Sequence, residues 1–155
     1  MRFLNLVAVL LCIASFSMGQ QKNYVKHVDP FIGSEGLGNT FPGVSLPFGM
    51  VKLGPDNIKK AAAKGYYKSG EIDGFSHTHV SGVGGAPKYG NILVSPVQGN
   101  IKLKNRASSR SSEEAKAGYF AMTLAKHEVK AELSASHSVG LSIYFFWGRY
   151  RFCND

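Results

Sequence analysis

Cysteine is nearly absent: the 155 residues hold two, Cys12 and Cys153. Cys12 lies inside an N-terminal apolar run, and Leu11 stands where a lipidation signal would want a small residue. Once that run is removed a single thiol remains, which excludes a disulfide-stapled scaffold. Tryptophan occurs once, as Trp147 near the C-terminus, so a row of flat aromatic platforms is missing. Acidic residues number ten against 18 Lys and Arg. No two of the acids stand at a spacing that marks an acid/base pair. Apolar residues never repeat at intervals of three and four for long enough to make an amphipathic helix. No apolar run reaches the roughly 20 residues of a membrane span. The longest, Phe3–Phe16, is broken by Asn5 and Ser15. It follows Arg2 and closes in Ser17-Met18-Gly19, and so reads as a secretory signal peptide over 1–19. The expected location is secreted or periplasmic.

The rest of the chain has two textures. Of the 18 glycines, 14 lie between Gly33 and Gly99, together with five of the six prolines. That stretch is expected to be loop-rich. Short apolar runs stand at Tyr24–Val28, before it, and at Gly49–Leu53 and Asn91–Val97, within it. From Lys116 onward the pattern alternates. Phe120, Met122 and Leu124 are interleaved with Tyr119, Ala121 and Thr123. Val129, Ala131 and Leu133 are interleaved with Lys130, Glu132 and Ser134. Period two predicts half-buried strands, with Ala125-Lys126-His127-Glu128 as the hairpin connection. Val139–Trp147 offers a further strand. Helical signals are limited to Ile58–Lys64 and to Ser112-Glu113-Glu114-Ala115, each read as a turn or two. The expected fold class is all-β, an antiparallel β-sandwich with long glycine-rich loops.

The net charge of +8 raises the question of nucleic acid. Lys59, Lys60 and Lys64 form one cluster; Lys102, Lys104, Arg106 and Arg110 form another. Neither has the interleaved aromatics on which bases stack, so solvated loops are the better reading and no nucleic-acid partner is expected. Gly33-Ser34-Glu35-Gly36-Leu37-Gly38 lacks the Gly-Lys-Ser/Thr of a phosphate loop, and no helix signal follows it. The chain has no Gly-x-Ser-x-Gly elbow, and Cys153 sits at the chain's edge, where a base is hard to supply.

The densest polar cluster is Gly74-Phe75-Ser76-His77-Thr78-His79-Val80-Ser81-Gly82. His77 and His79 are two apart and would face the same way on an extended strand. Three readings stand for them: two ligands of a zinc site, hydrogen bonds to loop backbone, or contacts to a hydroxylated ligand such as a sugar.

Four stretches carry a resemblance. The first begins Val28-Asp29-Pro30-Phe31-Ile32-Gly33. It continues through Gly38-Asn39-Thr40-Phe41-Pro42-Gly43 to Leu46-Pro47-Phe48-Gly49-Met50-Val51. The second is Gly65-Tyr66-Tyr67, then Ile72-Asp73-Gly74-Phe75-Ser76-His77-Thr78-His79-Val80-Ser81-Gly82. The third is Tyr89-Gly90-Asn91-Ile92-Leu93-Val94. The fourth joins Gly118-Tyr119-Phe120 to Ala131-Glu132-Leu133-Ser134-Ala135. In these the chain resembles the N-terminal domain of glycoside hydrolase family 92, the secreted calcium-dependent α-mannosidases. It differs at Leu37 and Asn39, where the family often has histidine, and at Asn91, where it usually has Asp.

The resemblance implies a two-domain enzyme in which an N-terminal sandwich packs on a C-terminal (α/α)6 domain. The expected domain division is a β-sandwich over 20–140 and a tail outside the family pattern over 141–155. The implied reaction is exo-hydrolysis of α-mannosides with inversion on mannose-containing glycans. In the family the acid/base pair and the Ca2+ surroundings come from the helical domain. This chain is therefore expected to bind no metal by itself, to carry no catalytic residue and to be inactive alone. The candidate substrate-binding residues are Glu35, Asn39, Asp56, His77 and His79. Two other readings stand beside this one: a stand-alone carbohydrate-binding module, and a nonfunctional fragment.

Overall fold

The computed structural model describes residues 22–36, 38, 40–57, 65–79, 90–99 and 102–148. Eight strands follow one another: β1 (Val44–Ser45), β2 (Lys52–Asn57), β3 (Ile72–His79), β4 (Gly90–Val94), β5 (Arg110–Lys116), β6 (Tyr119–Leu124), β7 (Val129–Ala135) and β8 (Gly140–Phe146). They make two antiparallel four-stranded meanders, ordered β1-β2-β3-β4 and β5-β6-β7-β8. Among the described residues, helix is limited to two 3-10 turns, Tyr24–His27 and Leu103–Asn105. The all-β sandwich expected from the alternation is the architecture the chain builds.

The hairpin β6–β7 shows why. Its register sets Phe120 opposite Leu133, Met122 opposite Ala131 and Leu124 opposite Val129. All six are buried. Period-two sequence thus puts three apolar cross-strand pairs on one face, and each large side chain removed from water contributes about 1.5–3 kcal/mol. Phe120, Met122, Leu124, Ala131 and Leu133 share one core with Val44, Val51, Leu53, Tyr66, Ile72 and Phe75 of the first sheet region. Tyr144 of β8 reaches the same interior and packs on Phe75, with ring centroids 6.1 Å apart. An isolated bridge between Ile72 and Ser108 ties the two sheets' chains together.

One expectation changes. Ser112–Ala115 is not a turn but the middle of β5, because Glu113 and Ala115 lie opposite Met122 and Phe120 and share the ladder. The apolar run Tyr24–Val28 makes the first 3-10 turn, and its side chains are exposed. The strand expected over Val139–Trp147 forms as β8 through Phe146 and pairs with β7 along its whole length. The signal-peptide reading over 1–19 and the helical turn over Ile58–Lys64 lie outside the described residues.

Candidate functional site

The loop from Asp29 to Thr40 closes on itself. The Asp29 carboxylate accepts from the Phe31 N–H at 2.9 Å, and the Thr40 hydroxyl donates to the Ile32 carbonyl at 2.5 Å. The Gly38 N–H donates to the Glu35 carbonyl at 2.9 Å, making a tight turn at the tip. Glu35 therefore sits on an exposed turn of a tied loop. Asn39 lies outside the described residues.

Asp56 and His79 are brought together. Asp56 is on β2 and His79 ends β3, adjacent antiparallel strands of one sheet. His79 is buried, and both of its ring nitrogens are engaged. Nδ1 lies 2.8 Å from the Lys52 carbonyl and Nε2 lies 2.9 Å from Asp56 Oδ1. A carbonyl only accepts, so Nδ1 carries a proton toward Lys52. The nitrogen that such a tautomer leaves as an acceptor, Nε2, faces the Asp56 carboxylate. The ring also packs on Phe41 at a centroid distance of 4.5 Å. Lys52 Nζ lies over the Phe41 ring, 5.2 Å from its centroid, and burial holds the Lys52 ammonium below its ordinary range.

Gly65 covers the pair. It has φ +74°, and a Cβ there would fall 2.9 Å from His79 Cδ2 and 3.2 Å from Asp56 Oδ1. The residue must be glycine both for its left-handed backbone and for this close approach. The second carboxylate oxygen, Asp56 Oδ2, is buried and has no hydrogen-bond partner among the described residues. It is an acceptor left over beneath the glycine-rich loops.

His77 goes elsewhere. It is half-buried, and its Cε1 lies only 2.7 Å from where a Cβ on Gly140 of the second sheet would stand, with Leu53 beside it. Because β3 is an interior strand covered by the second sheet, one of its two histidines is absorbed into the inter-sheet packing. The two imidazoles have separate partners: His77 meets Gly140, and His79 meets Phe41, Gly65 and Asp56.

A cluster the sequence reading missed lies at β5. Tyr66, fully buried, donates its hydroxyl to Glu113 Oε1 at 2.7 Å. Arg110 donates to that same oxygen at 3.2 Å and to the Tyr66 hydroxyl at 3.1 Å. Its other terminal nitrogen reaches the Tyr67 and Gly70 carbonyls at 2.7 and 3.0 Å. Burial first, and then the Glu113 carboxylate, push the Tyr66 phenol well above its usual range. A second anchor is the ion pair of Arg106 with Asp73. Both clusters fix loops to strands and leave no carboxylate free for proton transfer. Among the described residues no group of three or more His, Cys, Asp and Glu is arranged to hold a metal ion.

The family described as "Glycosyl hydrolase family 92 N-terminal domain" matches residues 27–149, most of the chain. The chain belongs to glycoside hydrolase family 92. The match runs beyond Gly140 and takes in all of β8. An "Uncharacterized secreted glycosidase" of Arthroderma benhamiae is 28% identical over 157 residues, covering 94% of this family 92 chain and 20% of the relative. A solved family GH92 α-mannosidase of Bacteroides thetaiotaomicron superposes with a TM-score of 0.70 at 32% identity, over 83% of this chain and 19% of that one. In its complex with mannoimidazole the values are 0.71 and 32%, over 81% and 18%. A family GH92 inverting mannosidase from the same species shares the fold, with a TM-score of 0.65 at 23% identity, over 82% and 19%. The chain thus spans about a fifth of the length of these relatives.

Proposed function

We propose that this chain is the substrate-pocket part of a secreted, inverting, calcium-dependent α-mannosidase acting on mannose-containing glycans. The observation that carries this reading is the family match over 27–149, joined to the likeness at 32% identity to a mannosidase solved with mannoimidazole. The catalytic pair and the Ca2+ belong, in this reading, to the further length that the relatives possess. The sandwich supplies loops that close over the sugar. The leftover Asp56 Oδ2 near Gly65 accepts a hydrogen bond from a sugar hydroxyl, and Glu35 and Asn39 add further sugar contacts. His79 orients Asp56, and His77 stiffens the strand below. A signal peptide over 1–19 would direct export, in keeping with the name of the Arthroderma relative. Among the described residues no helix is long and apolar enough to cross a membrane.

The test is a titration of the purified chain with mannoimidazole, followed by two-dimensional NMR. Weak, saturable shifts should appear at the amides of Asp56, Gly65 and Glu35, and Asp56→Ala should remove them. Absence of any shift at millimolar ligand, with the fold intact, would overturn the assignment of these residues.

A further inference from the structure

The His79 ring stands between two hydrogen-bond acceptors. Nδ1 lies 2.8 Å from the Lys52 carbonyl and Nε2 lies 2.9 Å from Asp56 Oδ1. A carbonyl has no proton to give, and neither has an ionised carboxylate. A neutral imidazole carries one N–H, so it can serve only one of the two and sets a lone pair against the other. Turning the ring over exchanges both nitrogens for carbons and loses both contacts. Both separations are those of direct hydrogen bonds, with no room for a water between. The His79 side chain is 0% exposed, so a lone pair set against an acceptor there has no solvent to relieve it. The ring and the carboxylate together therefore hold one proton more than a neutral imidazole beside an ionised acid. The surroundings keep the pair in place. Phe41 packs on the ring at 4.5 Å between centroids, and a Cβ on Gly65 would fall 2.9 Å from Cδ2. Gly90 of β4 lies opposite His79, and a Cβ there would come within 3.3 Å of Asp56 Oδ1. The titratable groups around the ring are Asp56 on β2 and the Lys52 ammonium over Phe41. His77, two residues back along β3, meets Gly140 instead, and Tyr66, beside Gly65, gives its hydroxyl to Glu113. The neighbouring stretch of β4 brings Gly90 and Asn91, neither of which titrates.

We infer that His79 stands as an imidazolium in the folded protein, and that its Nε2 proton fixes Asp56 Oδ1 and leaves Oδ2 as the carboxylate's one acceptor for a ligand. The ring rather than the carboxyl takes the extra proton, because imidazole is the stronger base: free side chains change charge near about 6.5 and about 3.9 respectively. The carboxylate then has beside it the countercharge that burial demands. His79 is in this sense a positioning residue that acts through Asp56. Loss of the Nε2 proton would set two acceptors face to face at the same distance. The carboxylate would have to turn from the ring, and Oδ2 would lose its aim. The pair is thus a proton-dependent clamp on a single hydrogen-bond acceptor. One consequence rests on the sugar-pocket reading. The clamped Oδ2 takes an uncharged, hydroxyl-bearing sugar and refuses an anionic one, since a second carboxylate or an ionised phosphate brings it no proton. Sugar binding should then fall in alkaline solution, as the shared proton leaves.

The test is long-range proton–nitrogen NMR of the full chain with isotope-labelled histidine, the His79 ring being recognised by its contact with Phe41. Near neutral pH both of its ring nitrogens are expected to resonate as protonated. In Asp56→Asn the side-chain amide can donate to Nε2, and only Nδ1 should keep its proton. A bare Nε2 in the unsubstituted chain overturns the proposal, and so does a doubly protonated ring in Asp56→Asn. Should that variant fail to fold, the spectrum of the unsubstituted chain decides by itself. A second arm titrates methyl α-mannoside, which has no ionisable group, across a pH series. Its affinity should fall about tenfold or more as the Nε2 proton disappears from the spectrum, the scale of a lost bond to a charged group. An affinity that stays constant through that loss overturns the clamp. No binding of the sugar at any pH would overturn the pocket reading alone, and the spectrum would still decide the proton.

Discussion

His79 Nε2 lies 2.9 Å from Asp56 Oδ1, while Asp56 Oδ2, equally buried, faces no protein donor among the described residues. The histidine is thus the carboxylate's sole described side-chain partner, and the pair is asymmetric by construction. Removing the imidazole by His79→Ala leaves both carboxylate oxygens unpaired and opens a void against Phe41. The expected loss is about 3 kcal/mol of stability, the scale of an orphaned buried charge. Asp56→Asn keeps an amide that can bond Nε2 in either direction, and should cost only about 1 kcal/mol. Urea unfolding of the two variants measures this, and equal losses would show that the ring's packing, not the hydrogen bond, holds the site.

Much of the fold was legible because period two is a strong signal where both strands of a hairpin are half-buried. Tyr119–Leu124 and Val129–Ala135 pair as expected. β5 was not legible. Arg110-Ser111-Ser112-Glu113-Glu114-Ala115-Lys116 has the composition of a solvated turn, and only the partners of Glu113, Tyr66 and Arg110, make an inward-leaning carboxylate tolerable there. The candidate site shows the same limit. The local sequence marks His77 and His79 as polar and close. It does not reveal that one would meet Gly140 in the other sheet and the other a carboxylate 23 residues away. Side-chain pairing across that separation is set by strand register, which appears only once the sheets exist.

The Tyr66 phenol gives a pH prediction. Its folded-state titration is raised, by burial and then by the Glu113 carboxylate. In the unfolded chain it ionises near the ordinary value of about 10. Above that pH the unfolded state loses a proton that the folded state keeps, so stability falls as pH rises. Below it the contribution is fully present. Tyr66→Phe should flatten the stability curve above about pH 10. It should also cost about 1.5–3 kcal/mol at neutral pH through the lost bond to a charged acceptor. An unchanged alkaline slope in this variant would show that other groups govern it.

The β6–β7 hairpin should be the least tolerant part of the core. Phe120 is fully buried opposite Leu133 and touches both sheets' shared interior. Phe120→Ala removes its transfer energy and leaves a cavity, for an expected loss of about 3–5 kcal/mol. Against a typical domain stability of about 5–15 kcal/mol, that brings the fold close to its limit. Thr123→Ala, on the opposite face of the same strand, should cost about 1 kcal/mol or less. Circular dichroism melts of the two variants test the contrast, and comparable shifts in both would place the core elsewhere.

The last prediction concerns turnover. Inverting hydrolysis needs one carboxylic acid to protonate the leaving oxygen and one carboxylate to activate water, about 6.5–9.5 Å apart. The three carboxylates most shielded by strands in this chain are already engaged: Asp56 with His79, Asp73 with Arg106, and Glu113 with Tyr66 and Arg110. Each of these carboxylates is held in place by its partner and is not free to reach a second one. Glu35 is exposed on a loop tip, and Glu114 pairs with Lys116 on β5. Misplacement by about 1 Å can cost roughly a hundredfold in rate, so an improvised pair on separate loops would contribute little. The purified chain, incubated with an aryl α-mannoside and Ca2+, is therefore expected to release no mannose above a blank. It should do so even where NMR shows mannoimidazole bound. Release that is abolished by replacing Glu35, Asp56 or Glu113 with the corresponding amide would overturn this, and would move the catalytic pair into the sandwich itself.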